Sequence, residues 1–218
     1  MKSPIEYEEE GFFPQIFYVI RTYFFRLIGL NSIFLLCCIP VVTIPAALYG
    51  LHAVVQRYYR RIYSTTVVRD FFLEFKTDFL RRTGLFMLLL AAPVIIYAVA
   101  QFFAEGPLLL VISAIGFLAS LMLLTWFVPQ LVLLNLDAVQ ALKNACILAL
   151  IETKTNFLLM ALHAVVLTSV TCLLPLSGFS LIFLPVLHTL LITGLVMPVF
   201  KTRLIQNDVK NDNPEATS

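Results

Sequence analysis

Charged residues are missing from four long stretches of this chain. None occurs between Arg26 and Arg57 (30 residues), Arg82 and Glu105 (22 residues), Glu105 and Asp137 (31 residues), or Lys154 and Lys201 (46 residues). A helix needs roughly 20 apolar residues to cross a hydrocarbon core ~30 Å thick. The first three stretches hold one span each. The last holds two, divided by the turn signal Pro175-Leu-Ser-Gly178. The pattern predicts spans at 30–53, 84–103, 108–132, 157–174 and 180–200. Lipid admits only helices and closed barrels, because only these pair every backbone polar group internally. The runs are continuously apolar, without the in/out alternation of a barrel strand. The predicted fold class is an all-α, polytopic transmembrane helical bundle of about five spans.

The shorter polar stretches predict amphipathic helices outside the spans. Residues 12–28 are aromatic-rich, and Gln15, Tyr18, Thr22 and Arg26 share one side with Arg21 beside them. This reads as an interfacial helix. A sixth span here would place Arg21 near mid-membrane, at a cost of ~2.5–3.5 kcal/mol. Residues 67–82 form the clearest amphipathic pattern, with Val68, Phe71, Phe72, Phe75 and Phe79 on one face and charges on the rest. Asp78 and Arg82 have the i,i+4 spacing of an ion pair. Such a helix lies on the membrane with its phenylalanines in lipid, or docks on a partner. Residues 137–154 are a weaker case, with Asn135 or Asp137 as the N-cap. The resulting division is a tail and interfacial helix (1–28), a transmembrane domain (29–202) with loops 54–83 and 135–156, and a polar tail (203–218).

Composition agrees with lipid as the solvent. Hydrophobic residues make up 60% of the chain and charged ones 13%, with mean hydropathy +0.92. A soluble domain carries about a quarter charged residues. Net charge is only +2, but its distribution is informative. Loop 54–83 holds seven Lys and Arg residues, whereas the links around Glu105 and Ser177 hold none. The positive-inside rule then makes loops 54–83 and 135–156 and the C-terminus cytoplasmic. Five spans place the N-terminus outside, and six place it inside. Arg57, Arg60 and Arg61 are candidates for contact with anionic lipid. The four cysteines form no CxxC pair and read as free thiols.

Candidate chemistry is sparse. Pro40 and Pro45 stand five apart in the first span, with Thr43 between them. Each removes a backbone donor, so the carbonyls of Leu36 and Val41 lose their helical partners. The span is kinked or broken there, as packing or as a candidate pocket of Pro40, Thr43 and Pro45. No Asp, Glu, Lys or Arg lies in a span, and no zinc, nucleophile-elbow or phosphate-loop motif occurs. Catalytic, cofactor and metal residues are therefore assigned as none. Nucleic acid is not an expected partner, because the basic residues sit at span ends. His163 is about 9 Å into its span and His188 about 18 Å into the next, at 1.5 Å per residue. That difference is too large for the two to share a metal, so each histidine reads as a hydrogen-bonded packing residue.

Two stretches are similar to a known family. Asn31 to Val54, with its centre Leu36-Cys-Cys-Ile-Pro-Val-Val-Thr-Ile-Pro45, resembles the first span of the YesL-like family. Val68 to Phe79 resembles that family's cytoplasmic loop, and Ala141-Leu-Lys-Asn-Ala145 a third, weaker stretch. The chain departs from the pattern at Pro45, where a glycine is common. The family comprises small membrane proteins of Gram-positive bacteria with no assigned function or catalytic residues. Its genes often neighbour carbohydrate ABC importers and glycan-degrading enzymes. The resemblance implies a non-enzymatic, multi-pass cell-membrane protein, accessory or regulatory to carbohydrate uptake. Its implied partners are membrane lipids, an ABC-type sugar importer or a second copy of itself. The alternative is a small transporter or channel subunit built on the proline-broken span.

The alternation of basic residues makes a direct prediction. A cysteine at Glu105 or Ser177 should react with an impermeant thiol reagent in intact cells, and one at Arg60 should not. Reversed labelling refutes the orientation.

Overall fold

The computed structural model describes residues 11–62, 66–103, 107–134, 136–173 and 179–205. They form eight α-helices and no strand. The helices are α1 (Phe12–Cys37), α2 (Ile44–Tyr59), α3 (Val67–Lys76), α4 (Phe79–Phe103), α5 (Pro107–Leu133), α6 (Ala138–Ile151), α7 (Thr153–Leu173) and α8 (Phe179–Phe200). A 3-10 turn at Val41–Thr43 precedes α2, and a π turn at Lys201–Ile205 follows α8. Among the described residues, Phe12–Cys37, Ile115–Val132 and Phe183–Arg203 are long and apolar enough to cross a membrane. The α6–α7 pair also passes if taken as one span, but it bends by 97°. This is an all-α membrane bundle.

The predicted span 30–53 is two helices. α1 stops at Cys37 because the residue before a proline is pushed out of the helical region, and Pro40 has no N–H to continue the ladder. Pro45 sits in the first turn of α2, where its missing donor costs nothing. The carbonyls of Leu36 and Val41 keep partners, contrary to the sequence expectation. Ile39 N–H donates to Leu36 O and Ile44 N–H to Val41 O, in tighter turns. The Thr43 hydroxyl donates within the same turn, reaching the carbonyls of Cys37 and Pro40.

The chain reverses at this turn and α2 returns along α1. Gln15 Nε2 donates to Tyr59 O at 2.7 Å, and the Tyr23 and Tyr58 rings stack at 4.3 Å. The hairpin therefore brings the start of α1 to the end of α2. Leu36, Ile39, Val41 and Val42 at its tip are all more than 60% exposed. Four such side chains in water would oppose folding, so the tip belongs in hydrocarbon. Residues 12–28 are continuous with 29–37 in one helix, kinked at Tyr23.

α2 and α8 unite two apolar cores. One joins them to α1 and α3, around Val19, Leu30, Leu51, Tyr58, Phe71 and Leu190. The other gathers α4, α5, α6 and α7 around Trp126, Phe127, Ala141, Leu159 and Phe200. α3 lies directly on α2, and Gly50 makes the approach possible. A Cβ at Gly50 would stand 2.9 Å from the Phe71 ring and 2.9 Å from its carbonyl oxygen. α3 ends at Lys76, earlier than the sequence pattern implies. Asp78 takes φ 48°, a left-handed conformation, and the chain restarts as α4. Phe79 consequently belongs to α4, although its ring still meets Phe75 at 5.8 Å.

α6 is capped by Asp137, whose carboxylate accepts from Val139 N–H at 3.3 Å. Asn135, the other proposed cap, lies outside the described residues. Between α6 and α7 the chain turns sharply at Glu152. Cys37, Cys38 and Cys146 are free thiols, and the Cys172 side chain lies outside the described set.

Gly50→Ala should lower stability by ~1–3 kcal/mol, because the new methyl meets a backbone carbonyl that cannot rotate away. Gly116→Ala, with nothing within 4 Å of the added carbon, serves as the control. Thermal unfolding in detergent and hydrogen exchange of residues 67–76 report the difference, and equal behaviour of the two variants contradicts the packing described.

Candidate functional site

Two places in the bundle concentrate polar chemistry: a set of ion pairs at helix ends and a histidine pair inside.

The ion pairs lock α3 down. Arg57 of α2 holds Asp70 at 2.9 Å and approaches Glu74 at 4.0 Å. Glu74 also pairs with Arg82 at 3.3 Å. Arg82 thus reaches across to α3 and not to Asp78, as the sequence spacing had suggested. It is buried, and its guanidinium lies over the Tyr49 ring at 5.5 Å. Two further pairs, Arg81–Asp137 at 2.6 Å and Arg203–Glu152 at 2.8 Å, tie α4 and the π turn to the ends of α6. The Val139 N–H and the Arg81 guanidinium hold the Asp137 carboxyl below its ordinary range. That link is complete at neutral pH and is lost as acid protonates the carboxylate.

A cleft of about 130 Å³ opens beside this network, lined by Ala53, Gln56, Arg57, Arg60, Ile62, Glu74 and Val132. Arg60 is exposed here. Arg61 turns away at φ 56° and covers the Tyr18 ring at 3.9 Å. The three arginines therefore do different things, and only Arg60 presents its charge outward as a lipid contact requires.

The phenylalanine face of α3 is covered in part inside the chain. Phe71 is wholly buried against α2, and Phe72, Phe75 and Phe79 are half-buried. Phe71 is thus unavailable to lipid or to a partner. Pro40, Thr43 and Pro45 have different surroundings. Pro40 is exposed, Pro45 is buried, and the Thr43 hydroxyl is occupied by the turn.

The histidines overturn the depth argument. His163 of α7 and His188 of α8 meet edge-to-face with ring centroids 4.8 Å apart. The error lay in the reference point: α7 begins at Thr153, one turn before Phe157. Counted from Thr153 and Phe200, the two lie about 15 and 18 Å along their helices, and the Glu152–Arg203 pair holds those helix ends level. Two of the three histidines of the chain thus meet, from two helices, while His52 is buried in α2. Thr125 of α5 completes the group, its Oγ1 3.1 Å from His163 Nε2. Nearby, Trp126 Nε1 donates to Asn156 Oδ1 at 2.8 Å. Among the described residues, no group of three or more His, Cys, Asp or Glu has the geometry to hold a metal ion.

Residues 27–98 match a family described as "Protein of unknown function, DUF624". The match spans the last part of α1, the turn after it, α2, α3 and most of α4. Comparison with curated proteins and with solved structures finds no match.

Arg82→Gln should cost ~2 kcal/mol and loosen α3, because a buried charge network loses its centre, whereas Arg81→Gln at the surface should cost less than ~1 kcal/mol. Unfolding midpoints of the two variants, with protease access to residues 62–78, test the ordering; a larger loss for Arg81→Gln contradicts it.

Proposed function

We propose that this chain is a non-enzymatic, multi-pass protein of the cell membrane, with its C-terminus in the cytoplasm, that serves carbohydrate uptake as an accessory or regulatory component. The YesL-like resemblance supports the sugar link, and the match to a family of unknown function is compatible with it. The observation that carries a docking role is α6. It leaves α7 at 97°, and Val139, Ile147, Leu150 and Ile151 are exposed along it. On α3 Phe71 is buried against α2 and Phe72 and Phe75 are half-covered, so α6 offers the more open surface to an ABC-type sugar importer.

A second reading is a small transporter or channel subunit that uses the proline-broken first span; the interior contact of His163 with His188 adds polar chemistry to it.

Mild-detergent affinity purification from the native host tests the first reading. An importer subunit should copurify with the wild-type chain and be lost with Ile147→Asp plus Leu150→Asp, while Arg60→Gln retains it. Recovery of the chain alone, or only of a homo-oligomer, argues against the importer. Equal recovery with both variants moves the contact away from α6.

A further inference from the structure

The two sides of α3 differ in charge. At about 100° per residue, Phe71 falls on one side of the helix and Arg69, Leu73 and Lys76 on the other. Phe71 is buried, and the other three are exposed. The two acids of the helix are already engaged. Arg57 holds Asp70 at 2.9 Å, and Arg82 holds Glu74 at 3.3 Å. Among the described residues, no acid pairs with Arg69 or Lys76. Neither base has an acid three or four residues away, so pairing along the helix does not neutralise it. The negative charge of α3 is thus neutralised within the bundle, and its positive charge faces away.

We propose that this outward face of α3 is a binding surface for anionic phospholipid headgroups. Arg69 and Lys76 take phosphate oxygens, and Leu73 between them rests against the upper acyl chains. Leu73 is 53% exposed, at the four- and three-residue spacing that keeps it on one stripe with the two bases. Such a stripe has charged tips and an apolar body, which suits a charged layer laid over hydrocarbon. α4 fixes where that layer is. It starts at Phe79, three residues after Lys76, and no charged residue occurs from Thr83 to Phe103. Leu80, in its first turn, is 83% exposed. The chain therefore passes into hydrocarbon soon after Lys76, where long basic side chains reach the phosphates. Arg60 is exposed at the end of α2, on a cleft that Glu74 of α3 also lines, and adds a third base to this edge. Asp78, the remaining acid of the segment, lies beyond the helix end in its left-handed turn.

The two faces of α3 thereby exchange the roles that their spacing suggests. Phe71 closes on α2, and the basic side takes the membrane. An anionic surface is worth roughly a fivefold change in equilibrium for each base it attracts. The inference concerns α3 alone and is independent of what α6 binds.

The test uses the full chain with its four cysteines replaced by serine and Leu73→Cys carrying an environment-sensitive dye. It is placed in nanodiscs of phosphatidylcholine, alone or mixed with phosphatidylglycerol, and a lipid with a nitroxide on its headgroup reports contact. Quenching by that lipid should be at least about twofold greater in the mixed discs, and added salt should shrink the difference. Arg69→Gln with Lys76→Gln should abolish the difference. Arg69→Lys with Lys76→Arg, which keeps the charge, should retain it. Emission from Trp126, the single tryptophan, reports that each variant is folded. Equal quenching in the two kinds of disc, or a dye open to aqueous iodide in both, overturns the proposal. A dye shielded from iodide yet untouched by the nitroxide lipid assigns the face to a protein neighbour and overturns it as well. Loss of the difference on adding inorganic phosphate at constant ionic strength transfers the site to free phosphate and overturns lipid as its ligand.

Discussion

Hydrocarbon offers no hydrogen bonds, and most of this structure follows from that constraint. Every interruption of a helix has to supply its own partners. At Cys38–Thr43 two prolines remove donors, and tight turns together with one hydroxyl restore the balance. In the interior, the indole N–H of Trp126 finds Asn156, and Asn156 Nδ2 in turn donates to Ala149 O at 2.7 Å, just before the corner between α6 and α7. The same constraint makes the histidines conspicuous, since two of their buried ring nitrogens have no partner. A polar atom buried without a partner is costly.

Charge obeys the complementary rule. Glu74 and Arg82 are on different helices, and Arg57 joins them from a third. The network fixes α3 across α2, so the clearest amphipathic helix of the sequence sets Phe71 into the core. Its phenylalanines seek apolar cover, as their spacing implies, but α2 gives it. Gly50 is the position that lets the two backbones close.

The fold class was legible because it depends on the absence of charge over long runs, and no tertiary detail can reverse that. The proline break and the Asp137 cap were legible for a similar reason: both are decided by a few adjacent residues. The hairpin was not. The hydropathy of 30–53 is the same whether the chain crosses or doubles back. The difference lies in Gln15 meeting Tyr59 and Tyr23 meeting Tyr58, pairs that periodicity does not reveal. The histidine pair was missed through an error of one helical turn in the start of α7. Depth counted along a sequence inherits every uncertainty in a helix boundary, and here one turn separated a meeting from a miss.

The hairpin also bears on how the chain enters the membrane. Its two ends lie together, and its tip is Ile39, Pro40, Val41 and Val42. Between Arg26 and Arg57 there is no ionised group to drag through lipid. The first two helices can therefore partition as a closed unit, tip first, without translocating a hydrophilic segment. Their insertion can then precede that of the later spans, whereas the core they share with α8 closes only when that helix joins them.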